Sequence, residues 1–476
     1  MTTSIHEPGT DRAAGGGPEC TDGPGTAHRS ARRGTLLDLG AVACGALLFA
    51  AAALVGHSYE NSSGTLRLRW PPLYAYWMPH IGPGTVAAPA VAVLVIAYGP
   101  RLARTLPWRG VLPAAWGGAM AWSWALTLAD GWHRGVATRL TTEYEYLRSV
   151  ADVRDVGATL RGFTGRILMD SPDNWPPHVA GHPPAALLTF VGLDRIGLGG
   201  GVWASVFVIT AGSSAVAAVL VTVRALVSEE TARGCAPYVV LAPAVVWSGV
   251  SADGYFTAVS AWALALLALS ATRRVRAPGW AALGSGLLFG LTCYLSYGLV
   301  LTGLLALAVL AAARTARPVP VVLLGMLPWF VLFTASGFWW FEGWSTLVER
   351  YYQGAARVRP YGYFVWANLA AQTAVAGPAV LAALRRTAAA AASWRKNGPA
   401  AKRQRALLLL VAGGVCCVLA ADLSGMSKGE TERIWLPFTL WLLPATALLP
   451  RGGRRWWLAA QAALALTVNH LLVTGW

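Results

Sequence analysis

Pro183-Pro-Ala-Ala-Leu-Leu-Thr-Phe-Val-Gly-Leu-Asp-Arg-Ile-Gly-Leu198 is the stretch on which the fold turns. It is apolar enough to be considered as a membrane crossing, which takes about 20 helical residues. Two features argue against a crossing: it opens on Pro-Pro, and it carries Asp194-Arg195 before its end. It reads as a short interfacial helix instead. The choice matters because one extra crossing would invert every segment that follows.

Thirteen other apolar runs qualify as spans: 35–56, 84–100, 111–129, 202–226, 235–251, 254–271, 280–294, 298–313, 318–336, 364–384, 406–423, 434–449 and 457–473. Charge settles the orientation. With the N-terminus inside and 183–198 kept out of the membrane, inner segments hold 24 of the 38 Lys and Arg, and outer segments hold 15 of the 22 acids. Counting 183–198 as a span would put the basic loops 273–276, 314–317 and 385–405 outside, against the positive-inside rule. The predicted fold is therefore all-α: a polytopic transmembrane helical bundle of about 13 spans with a long outer loop, 130–200, carrying amphipathic interfacial helices. Residues 1–33 read as a disordered cytoplasmic tail and 34–476 as one membrane domain, multi-pass in the plasma membrane. No small-residue cleavage site follows the first apolar run, so the first span is expected to be retained.

Composition agrees. The 476 residues are 55% hydrophobic and 13% charged, where soluble domains carry about 25% charge. A net charge of +16 would suggest nucleic acid in a soluble chain, but here it follows from Arg-rich inner loops, and no nucleic-acid partner is expected. The basic residues are 35 Arg and 3 Lys, a bias typical of GC-rich bacterial genomes. The six cysteines form no CxxC pair, so neither a disulfide framework nor a zinc site is expected. Walker A, GxGxxG, GxSxG and HExxH motifs are all missing, which disfavours ATP-driven transport and nucleotide-sugar chemistry.

Candidate chemistry gathers on the outer side. Asp130 closes the third span at the water boundary. It is either an interface-marking acid or a general base at the lip of a cavity. Within 142–152, Tyr144, Leu147, Val150 and Ala151 recur with helical spacing, so an amphipathic helix is predicted. Glu143, Glu145, Arg148 and Asp152 would form its solvated face, with the acids ion-paired to Arg148. His178 and His182 straddle Pro and Gly, which makes HxxxH metal binding unlikely from spacing, and no metal is expected. His182 precedes a Pro-Pro helix start and is placed to meet an anion there. In Met426-Ser-Lys-Gly-Glu-Thr-Glu-Arg433, the charges of Lys428, Glu430, Glu432 and Arg433 are either a solvated loop or a phosphate site. Asp253-Gly254 reads as a tight outer turn. Tyr255 and Tyr297 read as belt aromatics or sugar-stacking rings.

This layout resembles the GT-C superfamily of polyprenyl-phosphate-dependent membrane glycosyltransferases. The resemblance rests on an acid ending a span, the Glu143-Tyr-Glu-Tyr-Leu147 segment, the Gly181-His-Pro-Pro184 step and the Lys428-Gly-Glu430 to Arg433 patch. Actinobacterial relatives carry a GHPPG-like sequence where this chain has Ala185. Two departures stand: Thr142-Glu143 replaces the usual Asp-Glu pair, and two spans precede the loop-bearing pair.

The resemblance implies an inverting hexosyl- or pentosyltransferase that moves sugar from a polyprenyl-phosphate donor to an envelope glycan, lipid or protein, with no cofactor. It implies that Asp130, Glu143 or Glu145 is the base, and that His182, Lys428 and Arg433 hold the donor phosphate. His178, Asp253, Tyr255, Tyr297, Glu430 and Glu432 would line the substrate cavity. The alternative is a transporter or flippase of a lipid-linked or amphipathic substrate, which should place ionisable residues mid-span.

Overall fold

The computed structural model describes residues 24–392 and 398–474. The expected tail falls mostly outside the described residues, but 24–33 belong to the first helix, Pro24–Ser63. The long elements are all helical. The sheet among the described residues is a two-stranded antiparallel ribbon, Ala75–Trp77 on Leu472–Thr474, with Tyr76 opposite Val473.

Five helices are long and apolar enough to cross a membrane: Arg32–Ser63, Gly84–Thr105, Gly200–Leu226, Ala252–Ala271 and Ala400–Leu423. Two bent pairs raise the number to seven. The first two helices turn most of their surface outward, with Leu54 and Val86 75% and 80% exposed, as lipid-facing helices do. The other apolar runs are shorter or interrupted. Residues 364–384 are split where Gly377, at φ 82°, ends Tyr361–Ala376 and Pro378 starts Pro378–Ala392 at 108° to it. Few residues other than glycine adopt that φ readily, and proline starts a helix more easily than it continues one. Residues 434–449 wind as short α-turns and then as a 3₁₀ helix, Leu440–Leu448. The tighter winding rises about 2 Å per residue instead of about 1.5 Å, so a short run reaches further.

The interior is packed through small residues. A Cβ on Gly286 would collide with Val322 O, and one on Gly325 with Leu283 O. The helices Pro278–Leu295 and Val319–Ala335 therefore touch backbone to backbone, the close packing that small residues permit between membrane helices.

Long-range contacts made by charged side chains include two sets. In one, Asp38 is gripped by Arg385 and Arg386 at 2.6 Å each, Arg451 meets Glu230, Arg233 donates to Ala103 O and Leu106 O, and Arg274 donates to Arg224 O. In the other, His80 meets Asp130, Arg139 meets Thr474, Gln353 meets Met169 and Asp170, and Arg433 meets Asp253 and His178. The first set joins segments that the charge count places inside, and the second joins segments that it places outside.

The deciding stretch forms the helix Pro184–Arg195. At its start, His182 packs on Tyr146, and at its end Arg195 donates to Val153 O and Arg154 O, all from the 130–200 loop. Both ends pack on the same loop, and the 12-residue helix is not among those long and apolar enough to cross a membrane.

This grouping predicts labelling by a membrane-impermeant thiol reagent on a cysteine-free background. Asp194→Cys and Ser345→Cys should react from one side of sealed vesicles, and Gly452→Cys only after permeabilisation. Reaction of Asp194→Cys together with Gly452→Cys would make the Pro184–Arg195 helix a crossing.

Candidate functional site

The segment expected to be an amphipathic helix is instead a 3₁₀ turn, Tyr146–Ser149. Its inward residues are Glu145, Tyr146 and Ser149, while Tyr144 is exposed. The expected faces are thus rotated. The reason is tertiary: a buried partner waits for Glu145. Its carboxylate Oε2 lies 3.2 Å from His178 Nδ1, and no ion pair with Arg148 is formed among the described residues. The Tyr146 ring stacks on Phe190 at 5.4 Å and also touches His178, His182 and Phe256.

From His178 the polar chain continues inward. His178 Nε2 faces Arg433 Nη2 at 3.4 Å, and Arg433 Nη1 donates to Asp253 Oδ2 at 2.5 Å. Asp253 is not in a free turn. Ser251 caps the helix Ala252–Ala271, accepting from Asp253 N while its hydroxyl donates to Asp253 Oδ2. Serine is a favoured N-cap, and an acid in the first turn suits the helix dipole. Glu145, His178, Asp253 and Arg433 are all buried. The imidazole thus lies between a carboxylate on its Nδ1 side and a guanidinium on its Nε2 side.

Burial pushes the Glu145 carboxyl up, but the His178 imidazole and then Arg433 outweigh it and hold it below the ordinary range. Burial likewise pulls the Arg433 guanidinium down, and Asp253, Glu430 and Glu145 more than reverse that. His182 differs. Burial lowers it to about 4, so it is neutral at pH 7, with Nδ1 2.8 Å from His178 O.

Asp130 caps the end of Trp108–Ala129. Arg134 donates to its Oδ1 at 3.0 Å, and His80 Nε2 lies 2.9 Å from the same oxygen at an angle outside hydrogen-bond geometry. Both contacts fall on Oδ1. Asp130 borders a polar cavity that is also lined by Thr127, Arg139, Trp247 and Asn469. The chain turns there through a π-helical step, His133–Ala137. Arg139 is held by the C-terminal strand, donating to Thr474 Oγ1 at 2.7 Å and to Thr474 O at 3.2 Å. Burial lowers the Arg139 guanidinium from its ordinary value, against the pull of Asp130 and Glu145. Across the helical turn Val245–Ser248 lies an apolar cavity lined by Ala119, Ile209, Val216, Thr257 and Leu440.

The structure brings Glu145, His178, His182, Asp253 and Arg433 together, with Glu430 at the edge, 3.9 Å from Arg433. It engages other expected residues elsewhere. Lys428 donates to Ala356 O and lies over the Tyr352 ring. Glu430, in a left-handed conformation, also faces Arg359. Glu143 is exposed and hydrogen-bonded to Tyr144. Tyr255 packs on Phe207 and Phe256, and Tyr297 sits in an aromatic cluster with Trp340 and Trp344. Glu432 is buried: Oε1 accepts from Tyr74 N at 2.6 Å, and Oε2 has no partner among the described residues. Sequence reasoning missed Arg139, His80 and Trp247. The signal for Arg139 was its place nine residues past Asp130, in the turn that follows the span.

No protein-family model matches this chain, and no curated protein is significantly similar to it.

Removing the charge of Arg433 leaves Asp253 and Glu145 buried without their cation. Arg433→Met should therefore cost about 3–5 kcal/mol of stability, the usual range for breaking a buried pair. Adding Asp253→Asn should recover part of the loss, and strict additivity of the two changes in thermal unfolding would refute the coupling.

Glu432 supplies a pH dependence. Burial raises its carboxyl to about 7 from an ordinary 4.5. The folded chain then keeps a proton that the unfolded chain releases. The stability of this site is full below pH 4.5 and is lost as pH rises through about 7, by an amount of about 3 kcal/mol. Glu432→Gln should flatten the slope of thermal stability over that window.

Proposed function

We propose that this chain is a membrane glycosyltransferase that moves a sugar from a polyprenyl-phosphate donor to an envelope acceptor, with inversion at the anomeric carbon. The observation that carries the reading is the polar cavity that the Asp130 carboxylate and the Arg139 guanidinium share. Asp130 Oδ2, with Arg134 and His80 both on Oδ1, takes the proton of the acceptor hydroxyl. The oxygen attacks the anomeric carbon, and the bond from that carbon to the phosphate oxygen breaks. Arg139 meets the charge that develops on the leaving phosphate, as a preorganised cation does in such transfers. The apolar cavity across Val245–Ser248 supports a lipid-borne donor.

In this reading the phosphate clamp moves from Lys428, His182 and Arg433 to Arg139. Lys428 is held by a carbonyl, His182 is neutral, and Arg433 is paired with Asp253. Glu145 becomes a positioning residue that orients His178 and, through it, Arg433. We also take the thirteen-crossing topology, with the N-terminus inside, as part of the proposal. The two sets of polar contacts support it, because an odd number of crossings is needed to separate Asp38 from the Leu472–Thr474 strand.

The transporter reading rests on the buried chain of ionisable groups Glu145–His178–Arg433–Asp253, which joins outer segments rather than the middle of the spans where proton-linked transport places such groups.

The test uses purified protein in lipid, a panel of labelled polyprenyl-phosphate sugars and an envelope extract. Asp130→Asn should lower transfer by about 10²–10⁴-fold with donor binding kept. Glu143→Gln should leave transfer unchanged, and Arg139→Gln should weaken donor binding. No transfer from any donor, with lipid translocation lost in Glu145→Gln, would replace the proposal by the transporter.

A further inference from the structure

The inner set of contacts leaves one buried guanidinium nitrogen without a partner. Among the described residues the acids of that side are Asp38, Glu229 and Glu230, and each is already paired: with Arg385 and Arg386, with Arg224 and Arg233, and with Arg451. Arg454 is left over. It opens the 18-residue helix Arg454–Leu471, and its guanidinium reaches over Gly234, whose added Cβ would stand 3.4 Å from Arg454 Nη2. Its Nε is buried and has no hydrogen-bond partner. Burial is the largest influence on this guanidinium and lowers it; the Tyr238 hydroxyl and Cys235 thiol oppose that, and the cations Arg451 and Arg104, of like sign, add to it. A buried N–H of a charged group costs free energy when it is left unmet, and like charges around it add to that cost.

The same place is a membrane border. Arg455 donates to Ala97 O, which ties the start of this helix to the end of Gly84–Thr105. Tyr98 and Trp456, beside that tie, are 57% and 80% exposed. Exposed aromatic rings next to arginines mark the headgroup level of a bilayer.

We infer that Arg454 and Arg104 form a binding site for the phosphate of an anionic phospholipid headgroup in the inner leaflet. The guanidinium offers the planar donor fork that a phosphate takes, and the start of the helix adds its positive dipole end. Trp456 and Tyr98 flank the acyl chains. This distinguishes the pair from the other inner arginines named above, which are satisfied by carboxylates or carbonyls. Basic pockets between membrane helices on the inner side are recognised places for such lipids. The inference rests on the proposed topology for its leaflet and does not depend on the proposed catalytic activity.

The experiment measures binding of phosphatidylglycerol against phosphatidylcholine to the full chain in detergent, by native mass spectrometry. The wild type should prefer phosphatidylglycerol. Arg104→Gln, at an exposed position, should weaken that preference about fivefold, and Arg454→Gln at least as much. The paired control Arg276→Gln with Arg317→Gln removes two exposed inner charges elsewhere and should leave it unchanged. An equal loss in the control would reduce the effect to general charge and overturn the site. Full competition by inorganic phosphate at the lipid's own concentration would overturn the lipid assignment. If Arg454→Gln fails to fold, the Arg104→Gln result alone decides.

Discussion

Arg433 is the group on which the outer half of the molecule depends. Its guanidinium lies at the centre of a buried chain running from Glu145 through His178 to Asp253. Those partners come from distant parts of the sequence: the long outer loop, the Pro176–Gly181 turn and the start of the Ala252–Ala271 helix. A buried ion pair is weak evidence for net stability, since desolvation offsets much of the Coulomb attraction. Its value here is registry. A guanidinium that must satisfy acids on two sides accepts few arrangements of the loop above it.

The charge balance of that chain reaches beyond it. Two carboxylates, Glu145 and Asp253, face one guanidinium, with His178 between Glu145 and Arg433. Arg139 supplies a second cation, because Glu145 and Asp130 are the acids acting on it. A carboxylate of the buried chain and the Asp130 carboxylate thus act on the same guanidinium. The Glu145 carboxylate helps keep Arg139 charged although it is largely desolvated, and the carboxylate stays ionised because His178 and Arg433 hold it so. Moving one member changes the field at the others.

Much of the grouping of segments was legible in the sequence. Hydropathy and arginine placement sort segments into the same two groups as the polar contacts do. The Pro-Pro start and Asp194-Arg195 marked 183–198 as a short helix, and it is one, Pro184–Arg195. Periodicity failed at 142–152, because in a short segment one buried polar partner outweighs the apolar pattern. Glu145 turns in to meet His178, and Tyr144 turns out. Asp253-Gly254 looked like a turn because the capping serine and the distant arginine that make Asp253 a helix-start acid are tertiary facts. Arg139 was hidden for a similar reason: what makes it notable is Thr474, 335 residues away. The unbroken apolar runs 364–384 and 434–449 overstated helix continuity, since hydropathy does not register the Gly377-Pro378 break or 3₁₀ winding.

The arrangement of the two cavities carries the argument a step further. They lie on either side of the four-residue turn Val245–Ser248 and share Val245 in their walls. One is lined by an acid, a guanidinium and an amide, the other largely by aliphatic and small side chains. A soluble ligand has no use for the second cavity, and a plain lipid has none for the first. An amphiphile with a polar, anionic head and an apolar chain would use both, which is the ligand class that both proposed readings require. What then divides enzyme from transporter is whether the head meets a reacting group, and Asp130, with one carboxylate oxygen outside the contacts of His80 and Arg134, is placed to be one.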